Sequence, residues 1–312
     1  MTVYFAPLEG ITGSIFRCCY ERFFGGIDAY YTPFVTTRDG GIMKKKEKRD
    51  ILPENNPGLT IVPQIMTNRA DEFVQASRHM AEMGYTEVNL NLGCPSGTVV
   101  PKGKGSGFLR RPDELALFLE KVYDECPIDI SIKSRIGFSS PEEFPALLNI
   151  YNRFPVKQLI LHLRTREEMY AGSVHEEVFA YACEHANMPL CYNGDIRTAE
   201  DVERIKSEFP DTQSVMIGRG FLSHPGFVGN EKKVADYTDT ERVLAFARAL
   251  EEAYAEVLSG ETPLLFKMKE LWAYLADSLP DGDRFFKKIK KVRHVAEYHS
   301  VLTGINPVTI HG

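Results

Sequence analysis

The chain has 312 residues and a mass of 35.3 kDa, with 43% apolar and 26% charged side chains and 37 basic against 43 acidic groups, a net charge of −6. That is enough apolar material for a large core and too balanced for a disordered chain, and the negative total excludes a polycation that grips nucleic acid by bulk charge. Six cysteines with no CxxC pair do not make a disulfide scaffold, and Met1 leads straight into the strand-like Val3–Pro7, so the expectation is a reduced, cytoplasmic protein without a signal peptide. No apolar run approaches the ~20 residues that span a bilayer.

Eight short β-branched or aromatic runs follow in order: VYFAPL from Val3, AYYTPFV from Ala29, TIVPQI from Thr60, EVNLNL from Glu87, DISIKSRI from Asp129, QLILHLR from Gln158, PLCYN from Pro189 and SVMIG from Ser214. Continuous apolar runs suit strands buried on both faces of a parallel sheet. Helical patterns lie between them, at 70–83, 112–124, 141–153, 174–186 and 198–208, with Pro112 and Pro141 placed for first helical turns. Eight strand–helix units of near-equal length predict an α/β fold, a (β/α)8 TIM barrel, in preference to an open doubly wound sheet. Beyond about residue 235 only helical patterns remain, at 239–258, 263–278 and 282–301, so a barrel domain at 1–235 and a small C-terminal helical domain at 236–312 are expected. Two connections are long: 36–59, which carries the basic run Lys44–Arg49, and the glycine-rich 93–111, expected to be a flexible loop.

Barrel enzymes work at the carboxyl ends of their strands. Here those ends read Pro7-Leu8-Glu9, Gln64, Asn89, Asn91 and Cys94, Lys133 and Arg135, His162 and Arg164, Asn193-Gly194-Asp195, and Gly218-Arg219-Gly220. Polar groups at the ends of seven strands, each directly after an apolar run, are hard to ascribe to core packing. The glycines after strands seven and eight, with Arg219, suit close backbone approach to a phosphate. Lys133 could form a Schiff base, hold a positive charge against an electron-rich cofactor, or sit in a solvated salt bridge. Cys94, followed by Pro95 at the root of the glycine-rich loop, places a thiol over the barrel mouth; the other five cysteines read as small core residues. No HxH, HExxH or CxxC spacing suggests a metal, and 103–107 lacks both the P-loop and the dinucleotide-binding spacings.

Taken together, APLEGITGSIFR (from Ala6), VPQI (Val62), NLNLGCPSGTVVPKGKGSGFLRRP (Asn89), IKSRIG (Ile132), LHLRT (Leu161), YNGDI (Tyr192) and MIGRG (Met216) resemble the tRNA-dihydrouridine synthases, in order along the whole barrel. Leu8 and Gly13 stand where that family more often has Met and Asp. The resemblance implies bound FMN, with NADPH or NADH as reductant and tRNA as substrate. It places Pro7, Leu8 and Glu9 along the flavin, Gln64 on its pyrimidine edge, Lys133 near N1 and O2, and His162 close to the cofactor. Asn193, Gly194, Asp195, Gly218 and Arg219 would cradle its phosphate. It further implies that a uracil leaves its stack, takes hydride at C6 from the reduced flavin and a proton at C5 from Cys94, with Asn91 orienting the base and Arg164 contacting the base or its phosphate.

The segment 284–293, RFFKKIKKVR, carries six basic residues and no acid, and 264–294 holds eight basic against four acidic side chains, which leaves −10 on the rest of the chain. With the resemblance, Lys287, Lys288, Lys290 and Lys291 are expected to bind tRNA phosphates; without it, they are a solvated helix face. The alternatives are a flavin-dependent oxidoreductase of a free dihydropyrimidine or dihydroorotate, a Schiff-base aldolase, and a non-catalytic RNA-binding barrel. The expected partner set is tRNA, no membrane and no metal, with a monomeric chain.

Overall fold

A computed structural model describes residues 1–38, 42–228 and 239–304. Its strands are β1 (Thr2–Phe5), β2 (Ala29–Tyr31), β3 (Val35–Arg38), β4 (Ile42–Met43), β5 (Ile61–Val62), β6 (Gln64–Met66), β7 (Glu87–Leu92), β8 (Asp129–Arg135), β9 (Leu159–His162), β10 (Leu190–Asn193) and β11 (Ser214–Ile217). They form one sheet in the order β4-β3-β6-β7-β8-β9-β10-β11-β1-β2-β5, parallel throughout except for the β3–β4 hairpin. β5 and β6 are separated by Pro63 alone, so β5 at one end of this series and β6 near the other belong to one strand, and the sheet closes on itself. Pro33 and Pro63 lack an N–H, which breaks the second and third strands of the ring into two pieces each. The Pro63 carbonyl still accepts from Asn89 N at 2.9 Å, and Thr32 Oγ1 accepts from Gln64 N at 3.1 Å, so the seam stays hydrogen-bonded. The chain is an eight-stranded α/β barrel with a C-terminal helical region.

The helices, in chain order, are α1 (Ser14–Phe23), α2 (Lys45–Ile51), α3 (Ala70–Glu82), α4 (Pro112–Glu125), α5 (Phe144–Tyr151), α6 (Glu176–His185), α7 (Ala199–Glu208), α8 (Arg219–Ser223), α9 (Asp239–Val257), α10 (Glu261–Leu275), α11 (Gly282–Ile289) and α12 (Val295–Thr303). Two compact units emerge among the described residues: one of residues 1–9, 28–38, 42–196 and 200–217, and one of residues 10–27, 197–199, 218–228 and 239–304. The domain boundary expected at 235/236 lies outside the described residues.

In the barrel unit the period-2 alternation of the strands builds an apolar floor below a polar rim. Tyr4, Val62, Ile160, Cys191 and Met216 pack together inside the barrel with Ala29 and Tyr31. Ala6 joins this cluster, and two residues further along three of the same strands come Gln64, His162 and Asn193. Glu72, in the first turn of α3, ties down the second and third strands: its carboxylate accepts from Thr37 Oγ1 and Thr67 Oγ1, both at 2.6 Å, and lies 3.3 Å from Arg69 Nε and 4.0 Å from Lys104 Nζ. Burial opposes its charge, but these hydrogen bonds and cations hold its carboxyl below the usual value. A depressed folded-state value stabilises above the unfolded pKa of about 4.3 and fades as pH falls below it. Glu72→Ala leaves two buried hydroxyls without their acceptor, and we expect a loss of about 1–3 kcal/mol at pH 7 in urea unfolding. The difference from wild type should shrink on the acid side.

In the second unit, Phe16, Tyr20 and Phe24 follow one another at four-residue spacing and surround Phe246 of α9, with ring centroids 5.6, 6.1 and 5.1 Å away. Trp272 packs edge-on to Phe285 at 4.7 Å and donates Nε1–H to Tyr298 Oη at 2.9 Å. The single helix expected over 282–301 is two. The chain leaves α11 at Ile289, and α12 restarts where Glu297 Oε2 accepts from Arg293 N at 2.7 Å and Glu261 accepts from Val295 N, carboxylates that satisfy backbone donors around its start. The cysteine expectation also needs correction: of the five assigned to the core only Cys191 is buried, Cys18, Cys19 and Cys126 are half-buried, and Cys183 is exposed. No helix among the described residues is long and apolar enough to cross a membrane.

Candidate active site

The parallel register aligns the polar strand ends side by side. Gln64 pairs with Asn89, Asn91 with Lys133, Arg135 with His162, and His162 with Asn193. Asn89 and Asn91 share one face of β7, as Ser131, Lys133 and Arg135 share one face of β8. Their side chains form a relay of amides: Asn91 Nδ2 donates to Gln64 Oε1 at 2.7 Å, Gln64 Nε2 to Asn89 Oδ1 at 2.7 Å, and Asn89 Nδ2 to Ser131 Oγ at 2.9 Å. Gln64 is fully buried, so this relay holds it in one orientation while each end of its amide retains one unused hydrogen-bonding position.

Lys133 donates from Nζ to Asn193 Oδ1 at 2.8 Å, and Asn193 Nδ2 donates to the Met216 carbonyl at 2.7 Å. No described carboxylate forms an ion pair with Lys133. Burial, with the Arg135 guanidinium second, pulls its ammonium down to about 8. An ammonium held in the barrel against a neutral amide is a site for an electron-rich ligand.

Cys94 is anchored through its backbone. Its N–H donates to Asn91 Oδ1 at 2.9 Å, and its carbonyl accepts from Ser106 N at 3.1 Å and Ser106 Oγ at 2.8 Å. Gly105, at φ +56°, lies so close that a Cβ there would meet the Cys94 carbonyl at 2.8 Å and its Cβ at 3.0 Å. The connection 93–111 is therefore not the flexible loop that its glycines suggested. It contains two 3-10 turns, Val100–Lys102 and Gly105–Arg110, and buries Ser106, Phe108 and Leu109. Glycine serves here for close approach rather than mobility. Burial raises the half-buried Cys94 thiol above its ordinary value and Glu9 adds to this, while a hydrogen bond from Ser96 N, Arg135 and Lys133 oppose it.

The remaining expected residues fall as follows. Pro7 and Leu8 are half-buried and Glu9 is exposed, directly after β1. His162 is buried, with its ring edge-on to Tyr170 at 6.0 Å. Arg164 is 1% exposed, and its guanidinium donates to both Asp195 oxygens and to the carbonyls of Ala171 and Gly172. Asp195 sits at φ +47°, and a Cβ on Gly194 would meet Val174 Cγ1 at 2.8 Å. Gly218 and Arg219 open α8 in the second unit. Lys287, Lys288, Lys290 and Lys291 are all exposed, while Phe285, Ile289 and Val292 from the same stretch are buried.

Two mouth residues were not assigned roles from sequence. Arg135 donates Nε–H to the Gly93 carbonyl at 2.9 Å and Nη1–H to the Thr165 carbonyl at 2.6 Å, bracing the turn that carries Cys94. Tyr170, 50% exposed, lies under the Arg135 guanidinium at 5.3 Å. Arg135 was visible as a strand end; Tyr170 lies in an irregular connection with no local signal.

Several solved structures share the fold. Histamine dehydrogenase from Rhizobium sp. 4-9 superposes with a TM-score of 0.55 at 12% identity, covering 79% of this chain and 48% of that one. The old yellow enzyme homologue from Zymomonas mobilis gives 0.52 at 12%, covering 76% and 89%. Among sequence relatives, a probable tRNA-dihydrouridine synthase from Staphylococcus aureus strain Mu50 is 28% identical over 246 residues, 76% of this chain and 72% of that one. The tRNA-dihydrouridine synthase B of Pasteurella multocida is 27% identical over 224 residues, 72% and 66% of the two chains. The dihydrouridine synthase family model matches residues 4–308, nearly the whole sequence, and the chain belongs to that family.

Proposed function

We infer that this protein reduces uridine in tRNA to 5,6-dihydrouridine, using FMN and a nicotinamide reductant, with Cys94 as the proton donor. The observation that carries the reading is an un-neutralised ammonium, Lys133, paired across β7 and β8 with Asn91, whose side chain also holds the turn that bears the half-buried Cys94 thiol. The residues present fit a flavin. Lys133 offers the cation that its reduced form requires, and the family resemblance places the Gln64 amide, held by the relay, on its pyrimidine edge. Pro7, Leu8 and His162 are the apolar and aromatic groups that the family resemblance brings to the cofactor, and Asn193 holds Lys133 in place. When bound, the flavin supplies the hydride.

The chain's own groups do the rest. Asn91 serves two elements at once, donating to Gln64 and accepting from the Gly93 and Cys94 N–H groups, so the cofactor-facing amide and the turn bearing the thiol are set by one side chain. The thiol stays protonated through neutrality, which a proton donor to C5 requires. Arg164 and Asp195 act as an internal pair that holds the connection carrying Tyr170. Exposed Lys287, Lys288, Lys290 and Lys291 contact RNA phosphates in the second unit.

The decisive experiment incubates the purified protein with FMN, NADPH and tRNA transcribed without modification, and maps dihydrouridine by its resistance to reverse transcription after alkaline treatment. Product on tRNA and none on free uracil supports the reading; the reverse favours the free-pyrimidine alternative. Replacing the four lysines with Glu should weaken tRNA binding at least tenfold and flatten its salt dependence, while flavin content stays unchanged. Unchanged binding would return these lysines to a solvated helix face.

A further inference from the structure

Three segments of the barrel unit meet around one ring. Phe138 follows β8; Arg110 ends the second 3-10 turn of the glycine-rich connection; Arg166 follows β9. The Arg110 guanidinium carbon lies 5.0 Å from the Phe138 ring centroid and that of Arg166 lies 5.6 Å from it, which puts the two charges within about one Debye length of each other. The backbone fixes this arrangement: Arg166 N donates to the Gly137 carbonyl and Glu167 N to the Phe138 carbonyl, both at 3.0 Å.

The way the other guanidinium groups nearby are used sets this pair apart. Arg135 spends its edge on two carbonyls, Arg164 on Asp195 and two more carbonyls, and Arg111 on Glu114 at 2.6 Å. Arg110 and Arg166 form no ion pair with any described carboxylate, and Arg166 Nε is shut off from solvent without a hydrogen bond to any described residue. An aromatic ring engages the face of a guanidinium and leaves its edge N–H groups available. Phe138 therefore orients two cations without neutralising either, at a cost in mutual repulsion that a bound anion would remove. Planar N–H forks suit phosphate oxygens.

The pair also belongs to the reactive turn. Ser106, which holds the Cys94 carbonyl, lies in the same 3-10 turn as Arg110, and Arg166 follows Thr165, whose carbonyl takes Arg135. We propose that Arg110 and Arg166, set by Phe138, clamp a backbone phosphate of the RNA beside the uridine that enters the barrel. This rests on the tRNA reading above and adds the place where the strand is gripped at the barrel rim.

The test compares wild type with Arg110→Gln/Arg166→Gln and with Phe138→Leu, using tRNA binding from 50 to 200 mM salt and single-turnover reduction at saturating tRNA. Arg153→Gln, on the connection leading into β9 at the opposite end of the strand, is the control, and flavin absorbance together with circular dichroism reports folding. The double variant should bind about tenfold more weakly at low salt, with the slope of log K against log salt reduced by roughly 0.7–0.9, as expected for one lost phosphate contact. Its rate at saturation should match wild type. Phe138→Leu should weaken binding with a smaller change in slope. Wild-type slope and affinity in the folded double variant would overturn the clamp, as would a loss confined to the saturated rate. A wild-type protein that neither binds nor reduces tRNA would instead overturn the functional reading beneath it.

Discussion

Cys94→Ala is expected to retain FMN and to consume NADPH in the reductive half-reaction, while dihydrouridine formation on tRNA falls by about 10²–10⁴, the usual worth of a positioned general acid. The size follows from how the structure treats this residue. Three hydrogen bonds and the close approach of Gly105 fix its backbone, so the thiol position is set before substrate arrives. Burial and Glu9 keep the thiol neutral at pH 7, in the form that can give a proton. Removing the thiol takes away the donor but leaves the Cys94 backbone bonds in place, including the one to Asn91, so Gln64 and Lys133 keep their partners. Cys94→Ser should behave like the alanine variant, because an aliphatic hydroxyl is a far weaker acid. Single-turnover assays with pre-reduced enzyme separate the steps, and wild-type yield from either variant would remove Cys94 from the reaction.

The barrel was legible because its strands are buried on both faces and announce themselves as apolar runs. Even TIVPQI, which Pro63 divides into β5 and β6, reads as one strand. The polar strand ends were legible for the same reason, since each interrupts such a run at a fixed place. What escaped depends on partners distant in sequence. The association of α1 with the C-terminal helices is made by Phe16, Tyr20 and Phe24 closing on Phe246, and nothing local to residues 14–24 encodes it. The pairing of Arg164 with Asp195 also escaped, because Asp195 lies one strand away in space but 31 residues on in sequence. The glycines of 93–111 signalled freedom, whereas Gly105 and Gly107 are needed because Cys94 and Val100 backbone atoms leave no room for a Cβ. The break between α11 and α12 has no glycine or proline to mark it; carboxylates of Glu261 and Glu297 make it.

Lys133→Met should cost the most after Cys94. Methionine fills similar volume without the charge, so the floor beneath it and the fold are expected to survive, as circular dichroism would show. Asn193 would lose the donor to its Oδ1 but keep its bond to Met216, which limits local rearrangement. What disappears is the cation that the barrel holds without a counter-charge. Removing a preorganised donor from a developing negative charge typically costs about 10²–10³ in rate, and flavin reduced by NADPH should be destabilised, shifting its potential negative and weakening its retention. The pH profile gives the sharper test. A group that ionises near 8 is charged at neutrality and loses its proton above that, so the wild-type rate should fall as pH rises through about 8, before the raised Cys94 thiol titrates. The methionine variant should be slow at every pH and lack this limb, leaving only the decline at higher pH that Cys94 imposes. A variant with wild-type rate, or a slow one that keeps the limb near 8, would show that Lys133 is not the group that answers the cofactor's charge.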